Sequence, residues 1–135
     1  MKPLLVLLLT FSVFTACRKY NSGGCTTDPV VAELKGTWEL RSVYGGMVPG
    51  GNYLPGNGNI VKFTDSTFEK HRNGQIVTQG IYSVSQGNNP QTNLMTKRIN
   101  YPDGYVEYFE ISGRQLTLYS GMIALDGTIS RYEKL

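Results

Sequence analysis

The residues of this chain that could do chemistry are few and scattered. Its one histidine, His71, stands between Lys70 and Arg72. Nucleophilic catalysis would need that imidazole to be oriented by a carboxylate and aimed at a hydroxyl or thiol, and no stretch carries such a motif. The ten Asp and Glu residues are dispersed, and with one imidazole and two thiols they form no group at metal-ligand spacing. The segment Gly45 to Gly58, GGMVPGGNYLPGNG, is rich in glycine. It precedes a strand-like run rather than a helix and lacks lysine, so it is no phosphate cradle. The expectation is a protein that is not an enzyme and holds no cofactor and no metal.

The thiols belong to Cys17 and Cys25, both near the N-terminus. Lys2 is followed by Pro3 to Phe14, apolar apart from Thr10 and Ser12. That is the charged start and apolar run of a secretory signal, too short to span a bilayer, which needs ~20 residues. An ordinary signal peptidase wants small residues at the last and third-last positions; Ala16 suits one and Phe14 is too bulky for the other. Phe14-Thr15-Ala16-Cys17 resembles the lipobox of bacterial lipoproteins, with Phe14 where leucine is usual. The resemblance implies cleavage before Cys17 and acylation of Cys17 by fatty acyl chains of the palmitate kind. It thus implies attachment to the outer membrane, at ~0.8 kcal/mol for each buried methylene. In lipoproteins of the Bacteroidetes type an acidic cluster after the cysteine resembles a surface-export tag. Here Arg18 and Lys19 stand in its place, which points to the periplasmic side. Residues 1–16 are then a signal peptide, 17–27 a flexible tether and 28–135 the folded domain. With Cys17 acylated, Cys25 has no partner in the chain: it is a spare thiol or the site of an intermolecular bridge.

From Asp28 onward the pattern is that of a folded domain. Asp28 and Pro29 suit the cap and first position of a short helical turn whose apolar residues are Val30, Val31 and Leu34. Alternating runs follow at Thr37–Tyr44, Asn59–Thr64, Thr67–Arg72, Gln75–Ser85, Leu94–Tyr101, Tyr105–Ser112, Gln115–Ser120 and Thr128–Lys134. Asn73-Gly74 and Asp103-Gly104 are two-residue hairpin signals, and Asp65-Ser66 and Ser112-Gly113 are also tight. An antiparallel up-and-down meander of eight strands removes its exposed edges most simply by closing into a barrel. Parity puts Trp38, Leu40, Val61, Phe63, Ile76, Thr78, Gly80, Tyr82, Val84, Leu116 and Leu118 on inner faces. It puts Glu39, Arg41, Lys62, Gln79 and Gln115 in water. The sixth run is ambiguous, with Tyr105 and Phe109 on one face and Tyr108 on the other. The 45–58 loop is either a lid or slack. The net charge of +3 is small and the basic residues are not interleaved with aromatics on one face, so no nucleic-acid partner is expected.

Gly36-Thr37-Trp38 after a helical turn, then a long first loop and a β-meander, resembles the lipocalin-like domains of small bacterial lipoproteins. The resemblance spans residues 28–135 and implies an all-β, eight-stranded barrel. It also implies that Trp38 plugs one end, with a basic side chain of the last strand, Arg131, packed across its ring. The final strand is similar to that of fatty-acid-binding proteins, with Tyr132 matching. Ser130, however, stands where they anchor a carboxylate with arginine, so their site is not carried over. A barrel of about eight strands is wide enough to be packed solid or to hold one small ligand. The first expectation is a membrane-anchored binding module for a small hydrophobic ligand, with Leu40, Phe63, Phe68, Tyr82, Leu118 and Tyr132 as wall residues. The second is a ligandless structural or protein-interaction lipoprotein of the cell envelope.

Overall fold

The computed structural model describes residues 28–46, 49–121 and 126–135. The expected signal peptide (1–16), tether (17–27), acylation site Cys17 and Cys25 lie outside these residues. The described chain opens with a short helix, α1 (Pro29–Leu34). Asp28 caps it by accepting the Val30 N–H at 2.9 Å, and Pro29, which has no N–H to satisfy, occupies the first turn. So short a helix has little stability of its own. Its anchor is Leu34, fully buried, whose carbonyl accepts the Trp38 indole N–H at 2.8 Å.

Ten antiparallel strands follow: β1 (Gly36–Gly45), β2 (Gly51–Asn52), β3 (Ile60–Phe63), β4 (Thr67–Arg72), β5 (Gln75–Ile81), β6 (Ser83–Asn89), β7 (Leu94–Asn100), β8 (Val106–Ser112), β9 (Gln115–Ser120) and β10 (Thr128–Lys134). They form one sheet in the order β5-β4-β3-β1-β10-β9-β8-β7-β6, with β2 pairing beside β1, and the sheet curls into a half-barrel. The described residues are therefore all-β with one short helix. Most neighbours in the sheet are neighbours in sequence because tight turns join them. Asn73 (φ 51°) and Gly74 (φ 78°) are both left-handed, as a type I′ turn requires. Between β7 and β8 the loop is one residue longer than Asp103-Gly104 alone suggests. The Tyr101 N–H reaches the Tyr105 carbonyl at 3.0 Å and Gly104 takes φ 82°, giving a three-residue Pro102-Asp103-Gly104 connection.

The sheet is a half-barrel of ten strands where a closed barrel of eight was expected, and it departs from the sequence expectation in three further places. The run expected as one strand, Gln75–Ser85, divides at Tyr82. β5 pairs with β4 and β6 pairs with β7, so one continuous segment changes partner. Tyr82 fixes the corner with its N–H on the Ser66 carbonyl at 3.0 Å and its hydroxyl on the Thr64 carbonyl at 2.7 Å. A bulge opposite Lys70 and His71 leaves Val77 unpaired and ends the simple alternation in β5. Ile76, expected inside, is accordingly half-exposed.

The 45–58 loop is the third difference. β2 pairs with Ser42 and Val43, and the Tyr53 N–H bonds the Arg41 carbonyl at 2.8 Å. Asn57 Nδ2 holds the carbonyls of Leu40 (2.9 Å) and Leu54 (2.7 Å). The segment thus runs along the edge of β1. Met47 and Val48 lie outside the described residues. This covering buries Glu39, which parity alone puts in water: it is 3% exposed, accepting from Gly56 N–H at 2.9 Å and from Arg41 at 2.7 Å. The Arg41 hydrogen bond outweighs burial and lowers the Glu39 pKa below the ordinary carboxylate value.

Candidate functional site

The inner wall changes character along its length. On β9 the inward residues are Leu116, Leu118 and Ser120, which pair with Tyr132, Ser130 and Thr128 of β10 and with Ile111, Phe109 and Glu107 of β8. Near α1 the interior is packed apolar: Leu34, Trp38, Phe63, Phe109, Leu116 and Leu118 join one core cluster. Farther along, the same faces carry hydroxyls and a carboxylate.

Glu107 is the centre of that polar region and only 5% exposed. Its Oε2 accepts from Lys70 Nζ at 2.8 Å and from the Tyr101 hydroxyl at 2.5 Å, and its Oε1 accepts from Ser120 Oγ at 3.1 Å. A buried carboxylate without such donors would be costly; here three of them solvate it. Lys70 reaches it because β4 presents Phe68 and Lys70 on one face, and the Lys70 ammonium lies 4.9 Å from the Tyr101 ring centroid and 5.9 Å from that of Tyr105. Tyr101 packs edge-on against Phe68 (4.7 Å, 69°) and stacks with Tyr105 (5.8 Å, 25°).

Burial, reinforced by the Glu107 charge and hydrogen bond, raises the Tyr101 pKa far above that of a free phenol. Burial likewise raises Tyr132, with Glu107 adding to it, and raises Tyr105. These phenols keep their protons near neutrality.

Two cavities meet Lys70. The larger, about 390 Å³, opens between β5 and the Tyr101–Tyr105 turn and is lined by Phe68, Lys70, Thr78, Gly80, Tyr101 and Tyr105, among others. The smaller, about 170 Å³, is bounded by Leu40, Val61, Lys70, His71, Val77 and Tyr132 with neighbouring β3 and β4 residues. Gly80 in the wall of the first one lets the Phe68 ring lie close against β5, because a Cβ there would be 3.3 Å from that ring.

Of the wall residues expected from sequence, Phe68 lines the larger cavity, and Leu40 and Tyr132 line the smaller. Tyr82 borders a third hollow of about 200 Å³ with Ile81, Ser83 and Tyr101. Phe63 and Leu118, each 2% exposed, belong to the packed core and line neither Lys70 cavity. Trp38 is completely buried, but the cation above its ring is Lys134, with Nζ 4.9 Å from the centroid, and not Arg131. Lys134 pairs directly with Trp38, whereas Arg131 pairs with Ser42 on the other face and stands 5.4 Å from the Tyr44 ring. Alternation along β10 enforces that difference.

Sequence reasoning missed Lys70, Tyr101, Tyr105, Glu107 and Ser120 as a group. A signal existed: Glu107 shares its face with Tyr105 and Phe109, an acidic residue inside an otherwise aromatic stripe. Among the described residues there is no cluster of three metal-ligating side chains, and no helix long and apolar enough to cross a membrane. Compared with models of protein families, with curated proteins and with solved structures, the chain matches none.

Proposed function

We propose that this is a membrane-anchored lipoprotein whose lipocalin-like barrel holds a small, largely apolar ligand in the cavity beside Lys70. In this reading Cys17 carries the acyl chains and the domain faces the periplasm from the outer membrane. The protein is then a carrier or sensor rather than an enzyme. The observation that supports ligand binding is the cavity itself. Its volume of about 390 Å³ falls within the ~300–1,000 Å³ usual for small-molecule sites. Its walls combine three aromatic rings, Phe68, Tyr101 and Tyr105, with the polar side chains of Lys70, Thr78, Gln79 and Asp103, a mixture that can fix a ligand's orientation as well as its affinity.

Filling the cavity tests the proposal. Thr78 is exposed at its rim, so Thr78→Trp should abolish uptake of a neutral naphthyl probe while leaving the thermal midpoint within a few degrees of wild type. Unchanged uptake would place binding elsewhere. Mass spectrometry of the membrane-extracted protein tests the anchor: an N-terminus other than acylated Cys17 would remove it.

A second reading, an interaction protein of the envelope without a ligand, draws support from a different observation. β5 is an end strand of the sheet with no charged residue, and its Ile76, Val77 and Ile81 are between 51% and 63% exposed. Natural edge strands are ordinarily blunted by charge or proline.

A further inference from the structure

We infer that the cavity selects a small aromatic compound carrying one negative charge, and that Lys70 recognises that charge. This rests on the reading of the cavity as a small-molecule site and adds the class of molecule it takes.

The charge follows from which groups are already satisfied. Both oxygens of Glu107 are engaged, by Lys70, Tyr101 and Ser120, and Glu107 does not itself line the larger cavity, so its carboxylate is not presented to a ligand there. An ammonium has three N–H donors, and one from Lys70 is used on Glu107 at 2.8 Å. The side chain is 28% exposed, and Lys70 borders both cavities. Among the described residues Lys70 is the sole cation lining the larger cavity. A ligand carboxylate there would make a charge-assisted hydrogen bond, roughly twice as strong as a neutral one.

The aromatic body follows from the walls and from the volume. Phe68, Tyr101 and Tyr105 already form an edge-on and stacked series at centroid spacings of 4.7 and 5.8 Å. Those spacings are the ones aromatic rings favour, so a further ring continues the series. A cavity of about 390 Å³ lies near the lower end of ligand sites and suits one or two fused rings rather than a long chain.

The test is a matched pair of probes, 2-naphthoate and its neutral isostere 2-naphthamide, titrated against the full chain in lipid nanodiscs with empty nanodiscs subtracted. The expected result is naphthoate binding at least ten-fold tighter than naphthamide. Lys70→Arg should retain that preference. Because Lys70→Met alone removes the counter-charge of the buried Glu107, the decisive comparison is Glu107→Gln against the double variant Lys70→Met/Glu107→Gln, which leaves no unpaired buried charge. The first should prefer naphthoate and the second should bind both probes alike. Equal affinities in the wild type, or a preference that survives the double variant, would overturn charge selection while leaving the cavity a neutral aromatic site. Tighter binding of dodecanoate than of naphthoate would overturn the aromatic class. Binding of none of these compounds would overturn both this inference and the reading of the cavity on which it rests.

Discussion

The two ends of the half-barrel are built from the same strands and solve opposite problems. At the α1 end, Leu34, Trp38, Phe63, Phe109 and Leu116 fill the interior, and its one conspicuous polar group, the indole N–H, is satisfied by the last carbonyl of the helix. A few residues along β8 and β9 the interior becomes Glu107 and Ser120, with cavities beside them and three donors holding one carboxylate. The first end gains stability from area removed from water. The second spends that possibility on a charged, hydrogen-bonded group that leaves room for something else. On the proposed reading, stability and binding are thereby assigned to different ends of one wall, and substitutions at the two ends should behave differently.

The sharpest contrast comes from truncating the packed end. Trp38→Ala removes the largest fully buried side chain and should cost about 3–5 kcal/mol, read as a fall in the denaturant midpoint with binding lost only through unfolding. At the polar end Lys70→Met should cost less, about 2 kcal/mol, because Tyr101 and Ser120 still hold Glu107. Adding Glu107→Gln should restore most of that loss. If the double variant were less stable than Lys70→Met, the ion pair would be contributing to stability in a way this contrast denies.

Alkaline pH probes both ends at once. Burial, with the Asp65 charge, pushes the Tyr82 pKa up from 10.0 to about 12, and Tyr101 and Tyr132 are raised as well. A phenol whose folded pKa is raised keeps its proton longer when folded. Its contribution is complete below about pH 10 and is lost as pH rises through 10 toward 12. Tyrosinate absorbance should therefore show a late, cooperative group of tyrosines ionising together with the loss of the fold. A single smooth titration near pH 10 would contradict their burial.

The smallest effect separates two cations on one strand. Lys134→Ala should shift the emission of Trp38, the sole tryptophan, and cost about 1 kcal/mol or less, whereas Arg131→Ala should leave that emission unchanged. The reverse result would return the indole to Arg131.

Much of this architecture was legible beforehand, and for local reasons. The Asp28-Pro29 start, the Asn73-Gly74 turn and the burial of Trp38, Val61, Phe63, Leu116 and Leu118 follow from capping, left-handed turn residues and period-two alternation. Other features were not legible because alternation names a face and not its neighbour. Glu39 lies on the outer face as parity requires, yet the chain around Gly56 folds over it. Gln75 to Ser85 reads as one strand because nothing local marks the exchange of β4 for β7 at Tyr82.

The candidate site shows that division most clearly. The sequence by itself determined that the chain is antiparallel β with a short capped helix, since those choices depend on backbone preferences and on polarity repeating within a few residues. Only the tertiary structure decided that Lys70 meets Glu107, 37 residues away and on a strand that is not its neighbour in the sheet, and that Lys134 rather than Arg131 covers Trp38. Such contacts depend on the register and curl of the whole sheet, a sum over many strand pairings that no local pattern encodes.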